Sequence, residues 1–327
     1  MRKYEFIVLT AAMAFLCLSL SSCKYGKKEN SSTSGTTTIV CDNTFENIME
    51  QEIRVFEYQY PDAHILPYYV PQNVAVDSLL NDKTRTAVLA RDITKAEREA
   101  LKKKKRTARS SLIAVDAIAF IVNHANPLNK LTLAELATIV SGEVKEWNDL
   151  WPTDLGRINV VVDDAGSSMA TFLRDSLLDG GRLGPNVVSA GSIPEVFNIV
   201  EKDKGAIGVL GVSWITSDLD SADVAPEELA KAVTSEEPVQ GVGLTQRVKV
   251  MGVMRNDDVV AYKPYQKNIF DGTYPLYRHI YMITTAHSGS VAGGFYSFVT
   301  GDIGQKIILK TGICPARVNI QVVELVK

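Results

Sequence analysis

The most explicit chemistry in this chain belongs to a cysteine, Cys23, that stands directly after Leu20-Ser21-Ser22. A basic start, Arg2 and Lys3, leads into an apolar run from Phe6 to Leu20, and small residues then precede the thiol. That order is a bacterial export signal with a lipobox, in which residues 1–22 are removed and Cys23 becomes the acylated first residue. The apolar run is shorter than the ~20 residues a spanning helix needs. Acyl chains on one cysteine hold a folded domain at a membrane with no spanning segment. The expectation is a protein of the cell envelope, lipid-anchored on the extracytoplasmic side of its membrane.

The remaining reactive side chains do not assemble into a catalyst. Cys17 lies in the signal, so Cys41 and Cys314 alone remain for the globular part. An oxidising compartment permits a bridge between them, and two buried thiols are the other reading. No Cys or His pair has zinc-ligand spacing, and His64, His124, His279 and His287 are scattered. There is no Gly-x-Ser-x-Gly elbow, no His-Glu-x-x-His and no Gly-x-x-x-x-Gly-Lys loop. Gly205, Gly208 and Gly211 recur at intervals of three, but Gly205 precedes a strand and the others fall within or after it, which is not a dinucleotide fingerprint. The chain is therefore expected to be no enzyme and to carry no cofactor or metal. Lys102-Lys103-Lys104-Lys105-Arg106 looks like an anion patch; it reads as a solvated helix end, with Glu97 and Glu99 toward the other end, as the helix dipole favours.

The elements follow from hydrophobic period. Thr38–Cys41 reads as a strand, followed by Phe45, Ile48, Met49, Ile53 and Phe56 at helical spacing up to Pro61, with Asn43 and Glu46 as a capping box. Strands at Ile65–Val70 and Thr86–Ala90 flank a short helix, Val74–Leu80, and a charged helix runs from Thr94 to about Arg106. Ile113–Val122 is almost continuously apolar, as a strand buried on both faces is, and marks a crossing between lobes. Then come a helix capped by Thr132 and Glu135, a strand at Ile158–Val162, a helix entered through Gly166-Ser167-Ser168, a helix capped by Ser192 and Glu195, and a strand at Ala206–Leu210. A polar segment from Trp214 to about Thr245 wraps the outside. Strands at Val248–Met254 and Ile280–Thr284, one amphipathic helix from Phe295 to Gly312 and a terminal strand, Val318–Val326, complete the chain.

Alternating strands and helices imply an α/β fold with mainly parallel sheets. Lys24–Thr38 has no apolar periodicity and reads as a tether. The folded remainder exceeds what one core usually covers, so two lobes with a ligand cleft between them are expected. The division is a signal at 1–22, the lipidated Cys23 and tether at 23–37, one lobe from 38–116 plus 245–327, and the other from 117–244. The formal charge of −3, near −4 once residues 1–22 are removed, argues against nucleic acid as a partner, since the net field repels its phosphates.

Several segments resemble the phosphate-binding proteins of bacterial ABC importers. They are Val115–Asn123, Asn126–Thr132, Ile139-Val140-Ser141-Gly142 with Trp147-Asn148, Gly205–Gly208, Asp271–Leu276 with Arg278, Gly304-Gln305-Lys306, and Gly312–Pro315. They span essentially the whole folded part in the family's order. The resemblance implies a two-lobed type II periplasmic-binding-protein fold, each lobe a sheet flanked by helices, joined by two crossing strands. It further implies capture of phosphate or a related oxyanion for an ABC transporter permease by a monomer that meets the membrane only through its N-terminal lipid.

The resemblance also places a site. Thr44 and Phe45 match the family's first anion-binding turn, a hydroxyl and the next backbone N–H at a helix start, where unpaired amides and the dipole favour negative charge. Gln72-Asn73 stand at the second turn, and Asp163-Asp164-Ala165-Gly166-Ser167-Ser168-Met169 at the third. Two positions depart from the pattern. Asp163 occupies the place of an arginine, and the aspartate expected at the end of the third strand has no counterpart between Thr84 and Ala90. The expectation is a swap: Arg91 supplies the positive fork, with Arg157 and Arg174 next in line, and Asp163 or Asp164 accepts a proton from the bound anion. Open beside it are plainer roles. Thr44, Ser167 and Ser168 are common helix-capping types, Arg91 suits a surface ion pair, and Asp163 could point to solvent or mark a site that has lost phosphate. A surface lipoprotein on the same scaffold, with another ligand or a protein partner, is the alternative function.

Overall fold

The computed structural model describes residues 30–216, 225–234 and 243–317. The signal, Cys23 and the terminal strand expected at Val318–Val326 lie outside the described residues.

The first lobe opens with β1 (Gly35–Asp42), a 3-10 turn at Asn43–Phe45, α1 (Glu46–Gln59), β2 (Ala63–Val70), α2 (Gln72–Leu80), β3 (Thr86–Leu89) and α3 (Lys95–Lys103). β1 pairs parallel with β2 from Gly35↔Ala63 to Asp42↔Val70, and with β3 at Val40↔Ala87. Those parallel pairings force the connecting helices onto the sheet's faces. Their apolar stripes explain why: Ile48, Met49, Ile53 and Phe56 of α1 are all buried, and Thr94 and Glu97 close a reciprocal capping box at the start of α3. The Asn43–Glu46 box does not form. Asp42 instead accepts the Thr44 amide, and α1 starts at Phe45 without a side-chain cap.

β4 (Arg109–Val122) runs through both sheets. Its first part pairs antiparallel with β11 (Tyr277–Thr284) out to Ala117↔Tyr277, and its second part, from Ile118, pairs with β8 (Ala206–Gly211). Ala117–Val122 are essentially inaccessible, which is the physical content of the unbroken apolar run.

Between these come β5 (Lys130–Thr132), α4 (Leu133–Ser141), β6 (Asn159–Val162), α5 (Ser168–Leu177), β7 (Val187–Ser189) and α6 (Ile193–Lys202), with α7 (Pro226–Thr234) after β8. β6, β7 and β8 pair parallel. The capping box of Thr132 and Glu135 is complete, and Ser192 accepts the Glu195 amide. β9 (Lys249–Val250) pairs with the second part of β4, and β10 (Gly252–Met254) with β5. Pairing to the second sheet thus continues to Val250, β10 and β5 form a separate two-stranded sheet, and the chain returns through α8 (Gln266–Phe270) into β11.

The expected single C-terminal helix is two, α9 (Val291–Val299) and α10 (Asp302–Lys310), followed by β12 (Cys314–Pro315). The break at Thr300-Gly301 lets Gly304 sit against the backbone of Phe298 and Val299, where a Cβ would collide. The sheet order is β2-β1-β3-β11-β4-β8-β6-β7. It is an α/β fold with two sheet lobes that share one long strand. Cys41 and Cys314 are buried free thiols, bonded to the Asp42 and Gln266 carbonyls respectively. Among the described residues no helix is long and apolar enough to cross a membrane.

Candidate functional site

Two parallel strands, one in each sheet, deliver the same kind of structure to the seam between the lobes. At the C-terminal end of β1, Asp42 turns the chain into Asn43-Thr44-Phe45; at the end of β6, Asp163 does so ahead of Ser167-Ser168. C-terminal ends of parallel strands meeting helix starts are where α/β folds gather ligands. Asp42, Thr44, Asp163, Ser167 and Ser168 are all buried.

The two halves touch. The Asn43 side-chain amide donates to Asp163 Oδ2 at 3.0 Å, and the Thr44 and Ser168 hydroxyl oxygens are 3.3 Å apart. Trp214 Nε1 donates to the Thr44 carbonyl, and Asn47 donates to the Ser213 carbonyl, so the turn after β8 is tied to the start of α1. The seam therefore has direct contact across it at Thr44 and Ser168.

The positive charge at the seam is Arg278, on β11. Its Nη1 donates to Ser168 Oγ at 2.8 Å, and Nε and Nη2 donate to Asp116 Oδ2 at 3.2 and 3.0 Å. The guanidinium lies 4.5 Å over the Phe45 ring, a cation–π contact that also fixes its plane. Asp116 Oδ1 accepts the Val212 amide. Burial pushes the Asp116 carboxyl above its usual range, and Arg278 opposes that shift.

Sequence reasoning offered three other arginines. Arg91 gives Nη1 and Nη2 to the Glu97 carboxylate and Nη1 to the Asp92 carbonyl, so it braces the first turn of α3 and does not join the cluster above. Arg174 is exposed beside Asp175, and Arg157 is exposed at the bridge with Glu146. The missed signal was the period of β11: Arg278 shares the buried face of the strand with Ile280 and Met282, and a charged residue at an inward position demands a partner and a reason.

The other expected positions divide. Phe45 and Met169 are buried at the two helix starts. Asp164 is half-buried and accepts the Gly166 amide, a local turn. Ser167 caps α5 by accepting the Ala170 amide. Gln72 spends its side-chain carbonyl on the Ala90 amide, and Asn73 is exposed at the first turn of α2.

Three acceptors in the seam have no hydrogen-bond partner: Asp42 Oδ2, Asn43 Oδ1 and Asp163 Oδ1. A buried acceptor without a donor costs about 1–3 kcal/mol, so three together ask for something that brings protons. Burial raises the Asp163 carboxyl, with Asp42 adding repulsion against the bonds from Ser167, Asp164 and Asn43. Asp42 and Asn43 were absent from the sequence-based candidates as acceptors, because Asn43 read as the cap of the next helix and Asp42 stood in no motif. Among the described residues no His, Cys, Asp and Glu group is arranged to hold a metal ion.

The chain matches the family described as the PBP superfamily domain over residues 26–302. The phosphate-binding protein PstS of Pseudomonas aeruginosa is 23% identical over 301 residues, covering 87% of this chain and 84% of the relative. PstS of Bacillus subtilis is 22% identical, covering 96% and 95%. Among solved structures, a candidate phosphate ABC transporter substrate-binding protein with bound phosphate from Clostridium perfringens superposes with a TM-score of 0.66 at 20% identity, covering 86% of this chain and all of that one. An ABC-type phosphate transport receptor from Vibrio cholerae gives 0.61 at 18% identity, with 86% of this chain covered.

Proposed function

This chain belongs to the periplasmic-binding-protein superfamily, and on that premise we propose that it is an extracytoplasmic solute-binding protein, lipid-anchored through Cys23, that captures phosphate between its lobes for an ABC importer. Its relatives named above are phosphate-binding proteins. It works by binding and release, without catalysis.

The observation that carries the reading is Asp163 Oδ1, a buried acceptor with no donor, close to a helix start whose Ser168 hydroxyl receives a guanidinium N–H. An oxyanion that still holds a proton can donate to Asp163 while its other oxygens accept from Arg278, Thr44, Ser168 and the amides of Phe45 and Met169. Sulfate has no proton to give near neutral pH and would set its charge against the carboxylate. Arg278 takes the part first assigned to Arg91, and Asp163 keeps the proton-accepting part. Gln72 and Asn73 would contribute through the start of α2.

A second reading rests on the charge of the same seam. The seam holds three carboxylates, Asp42, Asp116 and Asp163, and one guanidinium, Arg278, which is paired with Asp116, so with all of them ionised it would carry −2 and favour a neutral or cationic donor-rich solute on the same scaffold. Calorimetric titration of the full chain with phosphate, sulfate and arsenate separates the two. Phosphate and arsenate heat, with none for sulfate, supports the phosphate reading, and Asp163→Asn should weaken phosphate at least tenfold while letting sulfate compete. Absence of heat from all three anions would sink it in favour of the second.

A further inference from the structure

The opposite end of the first lobe holds a cavity of about 320 Å³ that the cleft does not explain. Its wall is drawn from separate segments: Thr36 and Thr37 at the start of β1, Arg85 before β3, Arg106 after α3, and His287 with Ser290–Ala292 at the start of α9. Thr36 and Thr44 are eight positions apart along a strand and its turn, so this cavity and the seam are separated by on the order of 20 Å.

The charge here is positive. Arg85 Nη1 and Arg106 Nε both approach one oxygen of Asp82, at 3.1 and 3.3 Å. Two guanidinium groups against one carboxylate leave a unit of positive charge. Arg106 Nε is buried without a hydrogen bond of good geometry. A third guanidinium, Arg109, donates to the Ala286 carbonyl in the wall and is held over the Tyr296 ring. The donors are ready as well. His287 Nδ1 accepts the Gly289 amide, which leaves Nε2 to carry the proton of a neutral ring. Ser290 caps α9 by accepting the Gly293 amide, so the amides of Val291 and Ala292 in the cavity wall are among those the helix cannot pair itself.

The size selects among anions. Small-molecule sites begin near about 300 Å³, which is more room than a bare inorganic ion fills. Arginine forks and helix-start amides suit phosphoryl oxygens, and the hydroxyls of Thr36, Thr37 and Thr285 suit a polyol. We propose that this cavity binds a phosphate ester, a phosphoryl group carried on a small polyol such as glycerol. Its source is either a soluble ester or the headgroup of an anionic phospholipid. The second source has a route: Asn30, in the cavity wall, follows Cys23 by seven positions, a reach of at most about 25 Å. Only that route rests on acylation of Cys23; the site itself does not.

The test uses the full chain and glycerol phosphate as the probe, followed by calorimetry and by amide exchange. Binding should protect the Val291 and Ala292 amides, and Arg85→Gln with Arg106→Gln should weaken it at least tenfold. Asp163→Asn, which addresses the seam, should leave it unchanged. Should the double variant fold poorly, protection of those two amides in the unaltered chain decides. No protection at millimolar glycerol phosphate, or equal affinity in a folded double variant, overturns the proposal. Protection by nanodiscs containing phosphatidylglycerol, absent with phosphatidylcholine alone, supports it with the lipid as source; protection by the soluble ester alone supports it with that source.

Discussion

Replacing Arg278 by methionine removes the cation of a pair in which the Asp116 carboxylate is fully buried and the Arg278 side chain is 3% exposed. Asp116 would keep only the bonds from the backbone of Val212 and Ser213. Breaking such a pair from one side costs about 3–5 kcal/mol, because the remaining charge has neither water nor a partner. Loss of the Phe45 contact adds roughly 0.5–2 kcal/mol. Replacing both partners by apolar groups of similar volume, by contrast, is often neutral. Asp116→Leu with Arg278→Met should therefore recover most of the loss, giving a coupling of about 2–4 kcal/mol in a double-mutant cycle. Urea unfolding at pH 7 with an unchanged m-value is the assay. A further signature is pH. With its cation gone, the Asp116 pKa rises further, so the single variant's deficit is largest at neutral pH and shrinks as pH falls toward the ordinary aspartate range. A single variant within about 0.5 kcal/mol of the parent, or a double variant as unstable as the sum of the two singles, would refute this account of the pair.

Glu52 on α1 is fully buried with neither carboxylate oxygen bonded, and burial pushes its pKa well above the usual value. The folded chain then holds a proton that the unfolded chain releases, so stability present below the ordinary glutamate range is lost as pH rises through the window, at about 1.4 kcal/mol per pH unit. Glu52→Gln should flatten that slope in unfolding measured from pH 4 to 8, and matching slopes would contradict it. Gly142 ends α4 at φ 78°, with Asn186 Oδ1 3.0 Å from the place a Cβ would occupy; Gly142→Ala should lose about 1–2 kcal/mol, seen as a lower thermal midpoint. Cys41 and Cys314 are buried with raised thiol pKa values, Cys314 to about 11. Alkylation at pH 7.5 should leave both unlabelled in the folded protein and label both in urea; rapid labelling of either without urea would show that the site opens.

The family-like segments led to the right fold because they are local and spread along the whole folded part. Ile113–Val122 read as a doubly buried strand, since the alternative to burial for an almost continuously apolar run was an apolar surface. Thr132 with Glu135, and Ser192 with Glu195, mark helix starts because a cap and its target lie within one turn. The hydroxyls of the seam were legible for the same reason. Arg278 was noted only as part of a family-like segment and not as the seam's cation, because its partners Asp116 and Ser168 lie 162 and 110 positions away along the chain.

From its sequence alone this chain is committed to alternating strands and helices, to helix starts at Thr44 and Ser167-Ser168, and to an acidic surplus. Tertiary structure alone decided that Arg278, not Arg91, supplies the seam's cation, that Asp42, Asn43 and Asp163 each bring one buried oxygen without a donor to the seam, and that Arg85 and Arg106 share one carboxylate around a second cavity. The division has a physical cause: capping and periodicity act within a few residues, whereas the partner of a charge depends on which distant strand the sheet order places beside it.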